Sequence, residues 1–246
     1  MKNSLSRSMF RFCLIANPIL NAILLSFMFH NSDDPFLINQ IILGSGISGI
    51  WSCICFSSVG DIQRERWYGT LSLLYISPTN FSSIIFGKLI GNTLLSMISF
   101  VISIGTSCLI FRRLPIITDP MLFFLGFVTM IICFLFISFI LAYLFTLSRK
   151  TSLYQNLIEI PFSLFCGFIF PINILPMYFR IISYILSPTW AINILRASMS
   201  STHFTINVVI ELFIIFLHCI IQLVIILLLK RKIDHHVRIH ASLEVS

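Results

Sequence analysis

The chain has 246 residues, of which 57% are hydrophobic and only 10% are charged, and its mean hydropathy is +0.98. About a quarter of the residues of an average soluble domain are charged, and a soluble fold of this size could not hide 25 phenylalanines among so many aliphatic side chains. The composition therefore excludes a soluble enzyme, a secreted disulfide scaffold and a disordered chain. It predicts an all-α polytopic membrane protein with a single transmembrane domain over residues 1–246, since a β-barrel would show alternating rather than continuous apolar runs.

A membrane-crossing helix needs about 20 consecutive apolar residues, and six segments approach or exceed this length. In chain order the predicted spans cover residues 9–29, 37–59, 84–111, 121–147, 154–170 and 206–229. The first span follows a basic start, as a signal peptide does. Its apolar run is too long for a signal peptide, and no small-residue cleavage site follows it, so we expect it to be retained.

The net charge of +7 is spread over the loops between these spans, where basic residues mark the cytoplasmic side of a membrane protein. If the N-terminus is inside, the inner segments hold twelve of the sixteen lysines and arginines. We therefore expect a multi-pass protein of the plasma membrane with both termini in the cytoplasm. The abundance of Ile, Phe and Asn indicates a bacterial source.

The longest inner connection lies between the second and third predicted spans. Trp67, Leu71, Leu74 and Tyr75 recur at helical spacing and share one face, and Pro78 ends the pattern. We expect an amphipathic helix over residues 61–76, parallel to the inner membrane face. It is either a membrane-surface helix or a docking surface for a cytoplasmic protein.

The apolar segment 172–197 is interrupted by Pro171, Pro176 and Pro188. Proline breaks helical hydrogen bonding, and unpaired backbone groups are not tolerated in lipid. Counting this segment as a seventh span would also place the basic tail outside. We therefore expect a re-entrant hairpin of two short helices that enters from the outer side and returns.

Two short motifs in the second span have enzymatic counterparts. Residues 44–49 match the dinucleotide pattern G-x-G-x-x-G, but no strand precedes them. Gly46-Ile47-Ser48-Gly49 matches the G-x-S-G of intramembrane serine proteases, with His218 as a conceivable base, and this is a remote alternative. Close helix packing through small residues explains the same stretch. The sequence has no phosphate-binding loop of the G-x-x-x-x-G-K-[ST] type, so ATP hydrolysis would belong to another polypeptide.

Two acids lie within predicted spans, Glu159 on the fifth and Glu211 on the sixth. A carboxylate in lipid is costly and usually faces a bundle interior or a cavity. Glu211, His218 and Gln222 form one helical stripe. This stripe fits a substrate path, a proton relay or a structural hydrogen-bond network, and it supports the alternative of a secondary transporter or channel.

Three motif pieces occur in order along the chain. They are Glu65-Arg66-Trp67-Tyr68-Gly69-Thr70-Leu71 with Ser77-Pro78 and Gly87-Lys88; Gly167-Phe168-Ile169-Phe170-Pro171 with Leu175-Pro176; and Ser187-Pro188 with Leu195-Arg196. Together they resemble the membrane subunits of type-2 ABC exporters, the ABC-2 permeases. One departure is Ser72, which stands where that family often has an acid.

The resemblance implies an export permease that is not itself an enzyme and binds no cofactor. A second permease subunit, identical or related, would pair with it. A separate ABC ATP-binding subunit would carry ATP and Mg²⁺ and dock on the coupling helix, residues 61–76. Membrane lipids are the remaining expected partner, with no nucleic acid. The Phe-rich spans favour an amphipathic or hydrophobic cargo such as a drug, an antimicrobial peptide or a lipid-like molecule.

The resemblance also assigns candidate site residues, with no catalytic residue and no metal ligand. Those for ATPase docking are Arg64, Glu65, Arg66, Trp67, Gly69, Thr70 and Leu71, with a second inner contact at Arg149 and Lys150. Those for the substrate path are Ser45, Ser48, Phe162, Phe165 and Glu159. Those for an outer gate are Pro171, Leu175, Pro176, Pro188 and Arg196.

Overall fold

The computed structural model describes residues 8–29, 35–70, 81–147, 151–169, 171–199 and 206–240. This part of the chain is helical and contains no strand, which confirms the all-α class. Its helices are α1 (Ser8–Met28), α2 (Pro35–Trp67), α3 (Phe81–Phe111), α4 (Pro120–Leu147), α5 (Thr151–Phe165), α6 (Met177–Ile185), α7 (Ser187–Ala197) and α8 (Ile206–His240), with a 3₁₀ turn at Ile172–Ile174.

Four of these helices, α2, α3, α4 and α8, are long and apolar enough to cross a membrane. The apolar stretch described in α1 is shorter, Leu14–Met28. Helix α5 has 15 residues, which extend about 23 Å against a hydrocarbon core of about 30 Å. It stops five residues before the predicted end of the fifth span, because the chain turns at Gly167 with φ +71°. Six crossings remain a prediction.

Helix α2 lies at the centre of the bundle and packs against α1, α3, α4 and α5. In the most apolar 18-residue window of α2, 89% of the residues are buried, whereas in the corresponding window of α8 11% are buried. Helix α8 packs mainly on α4 and α7. Small side chains permit the close contact between α2 and α3. The Ser99 hydroxyl donates to the Gly49 carbonyl at 3.0 Å, and the hydroxyls of Ser45 and Ser107 are 2.8 Å apart. These contacts support the helix-packing interpretation of the Gly- and Ser-rich stretch 44–49.

Helix α2 approaches the turn that follows α5 closely at Gly44. A Cβ atom on Gly44 would lie 2.3 Å from the Phe168 carbonyl oxygen, so the backbone would have to move. We expect Gly44→Ala to lower the stability by about 2 kcal/mol. The control is Gly91→Ala on α3, where the added Cβ meets no atom within 4 Å and the gain in helix propensity is up to about 1 kcal/mol. Equal melting temperatures of the two variants in one detergent would contradict this contact.

Contacts between helix ends define two opposite ends of the bundle. At one, the C-terminal ends of α2 and α4 meet the start of α3, and we call it the inner end because of the distribution of basic residues. At the other, the amides of Thr118 and Asp119 donate to the Ser198 carbonyl at 3.0 and 3.1 Å. The Asn39 side chain also accepts from the Ile116 amide there at 3.4 Å. We call this the outer end.

Segment 172–197 forms the expected pair of short helices, α6 and α7, separated by the extended residue Leu186 with φ −88° and ψ 123°. Pro188 lies in the first turn of α7, where its missing amide costs nothing. Helix α7 begins where Gln222 of α8 donates to the Ser187 hydroxyl at 2.7 Å, and it ends beside Ser198 at the outer end. A re-entrant placement in the outer leaflet remains a prediction.

Candidate functional site

At the inner end, α2 is longer than the predicted second span and extends to Trp67. The sequence suggested a separate helix over residues 61–76, but residues 61–67 continue α2 without a break. No proline interrupts this stretch, and Gly60 is tolerated within the helix. Because Asp61 and Ile62 are buried against neighbouring helices, tertiary packing also favours this continuation. Residues 71–80, including Leu71, Ser77 and Pro78, lie outside the described part of the chain.

Helix α2 ends in a Schellman motif at Gly69, the glycine of the first motif piece. Gly69 has φ +64°, its amide donates to the Arg66 carbonyl at 3.1 Å, and the Thr70 amide donates to the Glu65 carbonyl at 2.9 Å. This pair of bonds with a left-handed glycine is the usual device that closes a helix C-terminus. The E-R-x-x-G-T spacing is therefore the spacing of a helix cap.

Glu65 joins two parts of the first motif piece that are distant in sequence. Its carboxylate forms an ion pair with Lys88 of α3 at 2.7 Å and also accepts a hydrogen bond from the Thr70 hydroxyl. The Glu65 side chain is only 18% exposed and that of Lys88 33%, so water screens this pair less than a surface ion pair. The pair fastens the end of α2 to α3.

Arg66 fastens the same end of α2 to α4. Its guanidinium donates to the carbonyl oxygens of Thr146 at 2.9 Å and Phe145 at 3.3 Å. These belong to the last turn of α4, where carbonyls lack helical partners and attract a cation. One turn earlier, Asn92 of α3 donates to the buried Asp61 carboxylate at 2.8 Å. We call Asp61, Glu65, Arg66, Lys88 and Asn92 the inner junction.

Beyond the inner junction the chain exposes two aromatic side chains. Trp67 is 83% and Tyr68 is 74% exposed, although both are large and apolar. Arg64 lies on the same turn, 3.4 Å from Asp61. Of the docking residues predicted from the sequence, Glu65 and Arg66 hold helices together, whereas Trp67 is exposed. Arg149 and Lys150 lie outside the described residues.

A second Schellman motif closes α5 near the outer end. Gly167 has φ +71°, its amide donates to the Leu164 carbonyl at 3.1 Å, and the Phe168 amide donates to the Ser163 carbonyl at 3.1 Å. Arg196 of α7 then donates to the carbonyl oxygens of Gly167 at 2.6 Å and Phe168 at 3.2 Å. The second and third motif pieces therefore meet through Arg196, a buried residue that is 8% exposed.

The other outer-gate candidates differ in burial. Pro188 is buried, Pro171 and Leu175 are half-buried, and Pro176 is exposed and precedes the first residue of α6. The sequence placed Arg196 at a gate without showing what it binds. The structure shows that it holds α7 against the end of α5.

The substrate-path candidates fall into different environments. Ser45 is buried between α2 and α3, and Ser48 is half-buried. Phe162 stacks on Trp51 with ring centroids 4.2 Å apart, and Phe165 stacks on Phe179 of α6 at 5.7 Å.

Glu159 belongs to a polar chain through three helices that the sequence did not reveal. The side-chain amide of Asn17 on α1 donates to the Ser52 hydroxyl on α2. That hydroxyl donates to the Glu159 carboxylate on α5. The Trp51 indole donates to the Glu159 backbone carbonyl at 3.3 Å. An asparagine in the first apolar span was the available signal for this contact.

The stripe on α8 does not form a connected network among the described residues. His218 contacts the Ile214 carbonyl of its own helix at 2.9 Å, whereas Gln222 contacts Ser187. Ser48 lies on α2, and α8 packs mainly on α4 and α7, so nothing here favours a Ser48–His218 dyad. Within the described residues no group of three potential metal ligands occurs.

Comparison with known proteins supplies one positive finding. The family model described as ABC-2 type transporter matches residues 1–200, which include the inner junction and both Schellman motifs. Searches of curated proteins and of solved structures gave no match. The matched region covers all three motif pieces and more than half of the chain. This membrane-embedded chain therefore belongs to the ABC-2 type transporter family.

Proposed function

We propose that the chain is the permease subunit of an ATP-driven exporter whose ATP is hydrolysed by a separate ABC subunit. The observation that carries this proposal is the inner junction with Trp67 and Tyr68 exposed beside it. Exposed apolar patches mark surfaces that a partner or a membrane covers. Their position at the end of α2, which the charge distribution assigns to the cytoplasmic side, suits a docking partner in the cytoplasm.

The junction also suits the transmission of force. When the ATPase changes shape on binding ATP, it would favour the permease conformation in which the end of α2 fits it better. Glu65 and Arg66 tie that end to α3 and α4, so the three helix ends would move together. Helix α4 in turn packs tightly on α7 near Gly126, where an added Cβ would lie 3.0 Å from the Leu195 amide nitrogen. Movement at the inner end would thereby reach the outer hairpin.

The cargo that suits this chain is amphipathic or hydrophobic. Helix α5 exposes Leu157, Ile160 and Leu164 along one side, next to the aromatic contact of Phe162 with Trp51. A second permease subunit facing this side would enclose an apolar path between the two copies. The cargo would be released near α6 and α7.

Trp67 provides the direct test of docking. We expect Trp67→Ala to weaken co-purification with the co-expressed ABC ATPase about tenfold or more, since exposed aromatic anchors dominate many interfaces. The permease itself should keep its melting temperature, because the Trp67 side chain is 83% exposed. The control is Leu114→Ala, which removes a side chain that is 79% exposed at the outer end. Undiminished ATPase capture by Trp67→Ala, or equal loss with Leu114→Ala, would contradict this docking surface.

A further inference from the structure

Glu159 places a carboxylate inside the apolar bundle. Its partner Ser52 lies at least seven residues, or about 10 Å, from either end of the predicted span 37–59. Glu159 itself is half-buried in the middle of α5. An ionisable group at such a depth is costly and usually serves a function.

The charge of Glu159 is unmatched within the described part of the chain. The acids of the inner junction each have a cationic neighbour, Lys88 for Glu65 and Arg64 for Asp61. Among the described residues, the Ser52 hydroxyl donates to one oxygen of the Glu159 carboxylate. No described lysine or arginine lies within ion-pair distance of it. The Ser52 proton is directed at the carboxylate because Asn17 donates to Ser52 from the other side. This arrangement leaves Glu159 as a hydrogen-bond acceptor with no cation beside it among the described residues.

The surroundings of Glu159 suit the apolar part of a ligand. Phe162, one turn along α5, stacks on Trp51 at 4.2 Å and is itself only half-buried. On the other side, Leu157 is 69% and Ile160 is 62% exposed. Glu159 therefore lies at the border between the packed side of α5 and the side that this chain leaves uncovered.

We propose that Glu159 selects cargo by charge, and that the exported molecules are cationic amphiphiles. Their ammonium or other cationic group pairs with the carboxylate, while their apolar part contacts Phe162 and the aliphatic side chains beside it. Aromatic faces also attract cations, and a low-dielectric surrounding strengthens the pairing. Anionic amphiphiles are repelled at the same place. This inference rests on the proposed export function and names its substrate class.

The experiment uses two ions of equal shape and opposite charge, tetraphenylphosphonium and tetraphenylborate. Their binding to the purified full-length chain in lipid nanodiscs is measured by equilibrium dialysis and corrected with empty nanodiscs. We expect the unaltered chain to prefer the phosphonium ion, and Glu159→Gln to lose about tenfold in affinity for it without losing affinity for the borate. The matched control is Glu211→Gln, which removes a carboxylate from another apolar helix and should leave both affinities unchanged.

Equal phosphonium binding by the unaltered chain and Glu159→Gln would overturn the proposal. So would a parallel loss for both ions, which a merely structural role would produce. A preference of the unaltered chain for the borate would overturn it even if Glu159→Gln did not fold. No ATPase is present in this binding assay. A negative result would therefore contradict the cationic substrate class alone, whereas the Trp67 experiment tests docking of the ATPase.

Discussion

Glu65→Lys is expected to reduce ATP-coupled transport by about tenfold or more, because it replaces the ion pair with Lys88 by a repulsion between two cations. Two unit charges at such a distance interact by a few kcal/mol where water is partly excluded. The substitution also removes the carboxylate that accepts a hydrogen bond from the Thr70 hydroxyl. The end of α2 would then lose its ion pair with α3, while the Asn92–Asp61 hydrogen bond one turn earlier remains. Cargo flux and ATP hydrolysis are measured together in proteoliposomes that contain the permease and its ATPase.

The exchanged pair Glu65→Lys with Lys88→Glu is the control for this prediction. It restores opposite charges between α2 and α3 and should recover a large part of the flux. Hydrolysis should continue in the single variant, because Trp67 and Tyr68 remain available for docking. If the single variant transported normally, or if the exchanged pair were no better than the single variant, the ion pair would not transmit the movement.

Arg196→Ala is expected to have the largest effect on stability. The two carbonyl oxygens of Gly167 and Phe168 would lose their charged donor inside the bundle, and bonds to charged groups contribute about 1.5–3 kcal/mol each. A loss of about 3 kcal/mol corresponds to a fall of about 6–12 °C in Tm for a chain of this size. Both bonds come from one guanidinium nitrogen, Nη2. Arg196→Lys should therefore recover part of this loss, since its ammonium keeps the charge but ends a side chain of different geometry.

Arg113→Ala is the matched control, because Arg113 is an exposed arginine of the loop between α3 and α4 and its removal should shift Tm by less than about 1–2 °C. Melting temperatures are measured in the same detergent for all three variants. A Tm for Arg196→Ala within the range of the Arg113 variant would show that Arg196 does not hold α7 on α5.

Much of the fold follows from sequence because apolar run length and proline positions are local signals. They anticipated α3, α4 and α8, and the division of segment 172–197 by Pro188. Helix α5 ends five residues before the predicted end of the fifth span, because Gly167 caps it, a role that the motif pattern did not show. The extension of α2 through Trp67 was missed for a different reason. It depends on the contacts of Asp61 and Glu65 with α3, which no local pattern contains.

The candidate site likewise combines residues that local sequence identifies with contacts that only three-dimensional packing determines. Motif spacing identified Glu65, Gly69, Lys88, Gly167 and Arg196 but could not tell which of them touch. Their pairing depends on three-dimensional packing, as does the path from Asn17 through Ser52 to Glu159. The polar stripe on α8 was an attractive local pattern. Among the described residues it does not become a connected network, because His218 contacts its own helix and Gln222 contacts Ser187.

The most direct test of the account is cargo flux in proteoliposomes that contain the purified chain with and without its ABC ATPase. A cationic amphiphilic dye serves as cargo, and either ATP or a proton gradient is supplied. Flux is predicted only when the ATPase and hydrolysable ATP are both present, and it should stop when ATP is replaced by a non-hydrolysable analogue. Equal flux through the chain alone under a proton gradient would contradict the account and favour a secondary transporter.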